Sequence, residues 1–448
     1  MSATVRTGMG LPVSDWIRHA IWWQVYPLGF TGAERAALPD GAPPVSRLRQ
    51  LEAWLPHLLE LGCNGLALGP VFESGTHGYD TVDHFRVDRR LGTVDDLQHL
   101  LDACHGSGVR VLLDGVFNHV GRGFPRFRDL LDHGPQHPSA GWFHVEGDGP
   151  DGFGYRTFEG HGGLVALNHA NPEVADHVVR VMTTWCDRGV DAWRLDAAYA
   201  VPPEFWREVL PRVRERHPDL WVVGEVIHGD YAGYVERSGV DSVTQYELWK
   251  AVWSSLNDRN LFELAHALRR HDEFARAFLP QTFVGNHDVT RLASRLTDPR
   301  HVALAVALLC TLPGVPTVYY GDEWALRGVK EDREGGDDAV RPAFPPAPER
   351  PDGEAAATEE LHRRLIGVRR RNPWLAGASV AEPDVLTNDV LAFGLTSGED
   401  RLEVVLNVGD TPADVRLPVE GELEDGDGTV TGADARVAPH AYLLARPR

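Results

Sequence analysis

Short apolar runs alternate with longer amphipathic segments along most of the chain. The runs 20–26, 65–68, 109–114, 191–196, 221–225, 242–246, 282–284 and 317–320 are short and mostly apolar, several of them nearly continuous in Val, Leu, Ile, Ala and aromatic residues, the pattern of strands buried on both faces. Between and after them, 48–61, 94–107, 173–188, 204–216, 248–257, 261–274, 300–312 and 359–371 repeat apolar residues at helical spacing. Eight strands alternating with helices over this length predict an α/β fold, a (β/α)8 TIM barrel rather than an open sheet. Two stretches break the rhythm. Residues 121–169, rich in Gly, His, Pro and aromatics, are too long and irregular for a plain connection and predict a small inserted domain after strand 3. From 375 onward, β-like pieces at 385–395, 402–408, 413–417 and 442–445, separated by Gly, Asp and Glu turns, predict a C-terminal antiparallel β-sandwich. The expected organisation is barrel 1–120, insert 121–170, barrel 171–374 and sandwich 375–448, with a mobile Gly- and acid-rich loop at 331–338.

A length of 448 residues accommodates a barrel-sized core with an appended module. The formal net charge of -21 argues against nucleic acid and anionic membrane, both of which reward clustered cations, and favours a neutral small ligand. Only Lys250 and Lys330 are lysines, and Arg carries the remaining positive charge. No apolar run reaches membrane-spanning length and residues 1–15 lack a basic-then-apolar leader, so a cytoplasmic location is expected. Cys63, Cys104, Cys186 and Cys310 are scattered without C-x-x-C spacing and read as reduced core residues. No H-E-x-x-H or H-x-x-x-H occurs on a helix, so no catalytic metal is expected. The sequence carries no signal of oligomeric state.

In a barrel of this kind the site forms at the carboxyl ends of the strands. Strand three ends in Asp114-Gly115-Val116-Phe117-Asn118-His119, strand four in Arg194-Leu195-Asp196, strand five in Val223-Gly224-Glu225, and strand seven in Gly285-Asn286-His287-Asp288. On a strand, Arg194 and Asp196 point the same way, which fits a buried structural bridge as well as a reactive carboxylate. Asp and Asn cap helices, and Glu225 could simply open a loop. Four strand ends carrying such residues together point to chemistry on one rim.

These segments resemble the four signature regions of the α-amylase family of glycoside hydrolases, family 13. Gly314-Val315-Pro316-Thr317-Val318-Tyr319-Tyr320-Gly321-Asp322-Glu323 is similar to that family's eighth-strand motif, and His77-Gly78-Tyr79-Asp80 to its sugar-stacking segment. The resemblance runs from about Ile21 to Phe344 and implies retaining hydrolysis of α-glucosidic bonds. It implies Asp196 as nucleophile, Glu225 as general acid and base, and Asp288 as the carboxylate that grips sugar hydroxyls. It further implies that Arg194 keeps Asp196 ionised, that His119 and His287 donate to the sugar, that Tyr79 stacks on it, and that Asp114 orients Arg194. The implied partner is an α-linked oligosaccharide or glucan. An exo-acting α-glucosidase or a transglycosylase would use the same machinery, and some relatives are silent binding proteins, although those usually lack one of the three carboxylates.

Three positions refine the resemblance. Many members hold a structural calcium with the asparagine of the first region and a histidine four residues after the nucleophile. Here those positions are Asn118 and Ala200, which leaves groups near Asn168 as further donors and no required cofactor. Thr76 stands where chain-end α-glucosidases carry a blocking aspartate, and Ala197 resembles members that prefer α-1,4 linkages. Trp22, Trp23 and Trp193 are expected in the core. The aromatics Phe124, Phe127, Trp142, Phe143, Phe153, Tyr155 and Phe158 are expected to form a mini-core, with one or two facing the cleft.

Overall fold

The computed structural model describes residues 15–149, 151–333 and 335–448. The expectation of no leader falls almost wholly on residues outside that range, and the loop expected at 331–338 includes undescribed Glu334. Eight strands form one parallel sheet: β1 (Trp22–Val25), β2 (Gly65–Leu68), β3 (Arg110–Gly115), β4 (Ala192–Leu195), β5 (Trp221–Gly224), β6 (Ser242–Val243), β7 (Gln281–Phe283) and β8 (Val315–Tyr319). The hydrogen-bonded order β6-β5-β4-β3-β2-β1-β8-β7 is that of a barrel, and a parallel bridge between Thr244 and Gln281 joins its two ends. The Gln245 N–H donates to the Gln281 carbonyl at 2.9 Å across that seam.

Alternation along each strand sorts side chains between the barrel interior and the surrounding helices. Trp22 points inward and stacks on Trp221 at 6.0 Å, while the next residue, Trp23, points outward and stacks on Trp54 of the helix Leu48–Leu61, also at 6.0 Å. Trp22, Ala67, Leu112, Ala192, Trp221 and Val315 share one interior cluster, and Trp23 and Trp193 belong to the outer core. The Trp22 indole lies over Gly65, its register partner on β2, where an added Cβ would come within 2.3 Å of the ring. Gly65→Ala is therefore expected to destabilise the fold by about 1–3 kcal/mol through overpacking. Chemical denaturation would show this as a lower midpoint with an unchanged slope.

Helices follow the strands as the pattern predicts, with additions. The helix Tyr231–Ser238 between β5 and β6 lacks a predicted counterpart, because Tyr-Ala-Gly-Tyr-Val-Glu-Arg-Ser offers only two turns and an interior glycine. Strand six ends at Val243 rather than at 246, since Tyr246 already opens the helix Tyr246–Asp258. Between β3 and the helix Pro172–Cys186, a strand pair (His119–Gly121 with Leu164–Ala166) and the helix Pro125–His133 enclose buried Phe124, Phe127, Trp142, Phe143 and Phe153.

The C-terminal strands form two antiparallel sheets, one around Val390–Ser397, Asp400–Asn407 and Ala441–Pro447, the other from Ala413–Arg416, Gly428–Thr431 and Asp434–Val437. Val405, Val415, Leu417, Val437 and Leu443 fill the space between the sheets, and Phe393, Val404 and Leu406 turn to the main core. The strands Gly421–Gly426, Gly428–Thr431 and Asp434–Val437 lie where only turns were expected. Their Gly and Asp content masks a period-two pattern whose apolar face is a few residues long. All four cysteines are buried free thiols. Among the described residues, no helix is long and apolar enough to cross a membrane.

Candidate active site

The pleat that sends Leu112 and Ala192 inward also sends Asp114, Arg194 and Asp196 inward at the carboxyl mouth of the barrel, because each lies an even number of residues further along. The Arg194 guanidinium is the hub. Its Nη1 donates to both oxygens of Asp114 at 2.8 Å and to Oδ1 of Asp196 at 3.3 Å. Its Nη2 lies 2.7 Å from Oε1 of Glu225 and 4.0 Å from Oδ2 of Asp288. One buried cation thus meets carboxylates from β3, β4, β5 and the β7 loop. The structure brings together every residue that the sequence places on this rim.

Just past Asp196 the chain turns sharply at Ala197, whose φ of 46° and ψ of 37° lie in the left-handed region, at a cost of about 1–2 kcal/mol for a residue with a Cβ. That turn aims the Ala197 N–H at Oε2 of Glu225, 2.9 Å away, while Tyr246 donates its hydroxyl to Oε1 at 3.2 Å. Asn286 donates to the Tyr246 oxygen at 3.0 Å and accepts from the Asp288 N–H at 2.8 Å, tying the β7 loop to Glu225.

His287 is clamped between two rings, with Tyr79 stacked at 5.7 Å and Tyr26 at 6.0 Å. Gln24 donates to its Nδ1 at 3.2 Å, which assigns the ring hydrogen to Nε2. That nitrogen faces Oδ2 of Asp288 at 2.9 Å and the Tyr79 hydroxyl. Burial and the neighbouring Asp114 hold the Tyr79 hydroxyl far above its usual range, so it keeps its proton and donates to Asp114 at 3.1 Å. His119 differs. Asn118 donates to its Nδ1 at 3.0 Å, its ring stacks on Phe158 at 4.7 Å, and its buried Nε2, 4.0 Å from Oδ2 of Asp196, has no hydrogen-bond partner. Burial lowers the His119 pKa to about 3, leaving a neutral ring with an unspent N–H donor beside Asp196.

The two clefted aspartates titrate in opposite directions. Burial raises Asp288, but His287, Arg341 and Arg194 outweigh it and hold the carboxyl well below its usual range. For Asp196, burial and then Glu225 push the carboxyl well above its usual range despite Arg194. Arg194 acts on Asp196 in the expected direction, favouring its ionised form, but burial and Glu225 outweigh it. The guanidinium is shared among four carboxylates and sits closer to Glu225 than to Asp196.

Sequence reasoning missed five contributors. Gln24, Tyr26 and Tyr246 lie within predicted strand runs and were legible only as members of those runs. Phe158 lay undistinguished among the insert's aromatics. Arg341, from the segment after the acidic loop, donates from Nη2 to Oδ1 of Asp288 at 2.8 Å and caps the Tyr26 ring at 4.5 Å; no motif marks it.

The residues implied as calcium ligands do not fit that ion. Asn118 donates its side-chain NH2 to His119 and its backbone carbonyl accepts from the Leu167 N–H, and the Asn168 side-chain oxygen accepts from the Ala170 N–H. Ala200 offers only a methyl group as a side chain. The Asn168 oxygen is thus spent within its own loop and the Ala200 side chain supplies no donor, which leaves too few oxygens for a calcium shell.

The Alpha-amylase family, described as "Alpha amylase, catalytic domain", matches residues 24–352. A cyclomaltodextrinase from Geobacillus thermopakistaniensis (strain MAS1) is 30% identical over 437 residues, which are 91% of this chain and 71% of that relative. Among solved structures, a cyclic α-maltosyl-(1→6)-maltose hydrolase from Arthrobacter globiformis, in complex with cyclic α-maltosyl-(1→6)-maltose, superposes with a TM-score of 0.82 at 27% identity, covering 97% of this chain and 99% of that one. A debranching enzyme from Nostoc punctiforme gives 0.82 at 25% identity, covering 98% and 100%. A match over most of the barrel, together with the carboxylate cluster at its mouth, shows that this chain belongs to the α-amylase family of glycoside hydrolases.

Proposed function

We propose that the chain hydrolyses α-1,4-glucosidic bonds in linear or cyclic malto-oligosaccharides with retention of the anomeric configuration. The observation that carries this reading is the Arg194 hub, which gathers Asp196, Glu225 and Asp288 around one point at the barrel mouth. In this reading Asp196 attacks the anomeric carbon and forms a covalent glycosyl ester, while Glu225 gives its proton to the departing glycosidic oxygen. Glu225 then takes a proton from water, whose oxygen displaces Asp196. Asp288, held ionised by its cationic neighbours, accepts hydrogen bonds from sugar hydroxyls, and His119 Nε2 supplies a donor. The productive form carries one proton on Glu225 and none on Asp196. Because the reaction needs a proton on the acid and a free nucleophile, the rate is expected to fall at both low and high pH, giving a bell-shaped profile.

The preference for longer or cyclic chains rests on Thr76. Its N–H and hydroxyl are bonded to Asp80 at 3.1 and 2.9 Å, so this position presents no carboxylate that would close the chain-end side. Two of the relatives named above, the cyclomaltodextrinase and the cyclic α-maltosyl-(1→6)-maltose hydrolase, are named for cyclic substrates, which agrees with this. Four buried thiols fit a reducing compartment, and we place the protein in the cytoplasm. Products from maltose, maltotriose, cyclodextrin, pullulan and starch, with the first anomer followed by proton NMR, test the reading. Linear maltose-series products released first as the α-anomer are expected from cyclodextrin. A β-anomer first product would overturn the retaining mechanism.

A further inference from the structure

Outside the set of residues gathered at the barrel mouth, two histidines meet where the barrel packs on the C-terminal strands. His301 opens the helix His301–Thr311, and His440 immediately precedes the strand Ala441–Pro447. Their rings stack at 5.3 Å, with His301 Nε2 3.0 Å from His440 Nδ1, and Oδ2 of Asp298 lies 3.6 Å from the same Nδ1. Among the described residues this trio brings one donor atom each from three metal-ligating side chains within 4.8 Å. Donors on a tetrahedral ion with bonds of about 2.0–2.2 Å stand roughly 3.3–3.5 Å apart, so the spacing matches without large movement.

We propose that Asp298, His301 and His440 form a structural binding site for a zinc-class divalent ion that fastens the C-terminal strands to the barrel. Three further observations support it. His440 Nε2 donates to Oδ1 of Asp410 at 2.8 Å, which leaves the Nδ1 lone pair facing the other donors, the usual orientation of a metal-bound imidazole backed by a carboxylate. His440 holds a φ of 52°, a left-handed backbone costly for a residue with a Cβ, and this conformation directs its ring at His301. His301 is buried with its Nδ1 unpartnered, so its hydrogen can move from Nε2 to Nδ1 and free Nε2 for the ion. Asp298, 22% exposed, leaves room for a water as fourth ligand. Arg300 grips the Asp298 carboxylate, its Nη2 2.6 Å from the same Oδ2, so that oxygen would be shared between Arg300 and the ion, while Asp389 and Asp410 offset Arg259.

The test uses untagged full-length protein stripped with a chelator and titrated with zinc chloride by calorimetry, with cobalt(II) as a spectroscopic probe. One equivalent binding at about micromolar Kd or tighter, a tetrahedral cobalt spectrum and a melting temperature raised by a few degrees are expected. His301→Gln and His440→Asn, the latter tolerant of positive φ, should weaken binding at least ~100-fold with hydrolase activity retained. Asp410→Asn, which leaves all three ligands in place, should weaken it by about 10- to 100-fold and keeps the test decisive if either histidine variant misfolds. Absence of saturable uptake by the wild type, or equal affinity in wild type and Asp410→Asn, would overturn the proposal.

Discussion

Replacing Asp196 by Asn is expected to lower kcat by about 10⁴- to 10⁶-fold while leaving a folded protein that melts higher than the wild type at neutral pH. The loss follows from removing the attacking oxygen, and its size is that seen when one member of a concerted catalytic set is deleted. The stability gain has a separate origin. Burial and the Glu225 carboxylate raise Asp196 well above the value of an unfolded aspartate, so between those two values the folded state binds more protons than the unfolded one. Stability from this group is therefore complete below the unfolded pKa, near 3.9, and is lost as pH rises through the raised folded value. Asn carries no such dependence. The variant should gain about 0.5–2 kcal/mol at pH 7 to 8, and the gain should vanish toward pH 4. Calorimetric scans across that range, with initial rates on cyclodextrin, check both parts. Turnover within tenfold of the wild type would remove Asp196 from the nucleophile's role.

Much of this geometry follows from rules that need only the sequence. That Arg194 and Asp196 share a face follows from strand periodicity, and their position on an inner face follows from the apolar residues between and around them. The Trp residues of β1 divide between barrel interior and outer core by the same alternation. What escaped has equally physical causes. The helix Tyr231–Ser238 and the strands around 421–437 are too short or too rich in Gly and Asp to generate a period, and they owe their form to neighbours. Arg341 reaches Asp288 across a separation of more than fifty residues, a contact fixed by how the loop after β8 folds back. Asp196 and Glu225 lie 3.3 and 2.7 Å from one guanidinium, a difference that residue types alone do not encode. Family resemblance supplied the roles, and packing supplied the electrostatics.

Arg194→Met is expected to have the largest effect on stability of any single substitution at the site, about 3–5 kcal/mol, because it removes the charge that four inward-facing carboxylates share. Met occupies much the same volume, so the cost is electrostatic rather than a cavity. Without the guanidinium, Asp114, Asp196 and Glu225 must take up protons to remain buried, and each proton is easier to supply at low pH. The variant should therefore approach wild-type stability near pH 4 to 5 and fall progressively behind as pH rises, the direction set by folded carboxyls raised above their unfolded values. Lysine at this position restores one charge on a point donor that cannot serve Asp114 through one nitrogen and Glu225 through another, so Arg194→Lys should recover part of the stability and little of the rate. A melting temperature for Arg194→Met within about one degree of the wild type at pH 7 would mean that the carboxylates are compensated by something other than Arg194. The parallel measurement is kcat, expected to fall at least ~100-fold even at a pH where the variant is fully folded, since the nucleophile then competes for its charge without a cation beside it. Separating the two readouts distinguishes an arginine that merely holds the barrel mouth together from one that also sets which carboxylate is free to react.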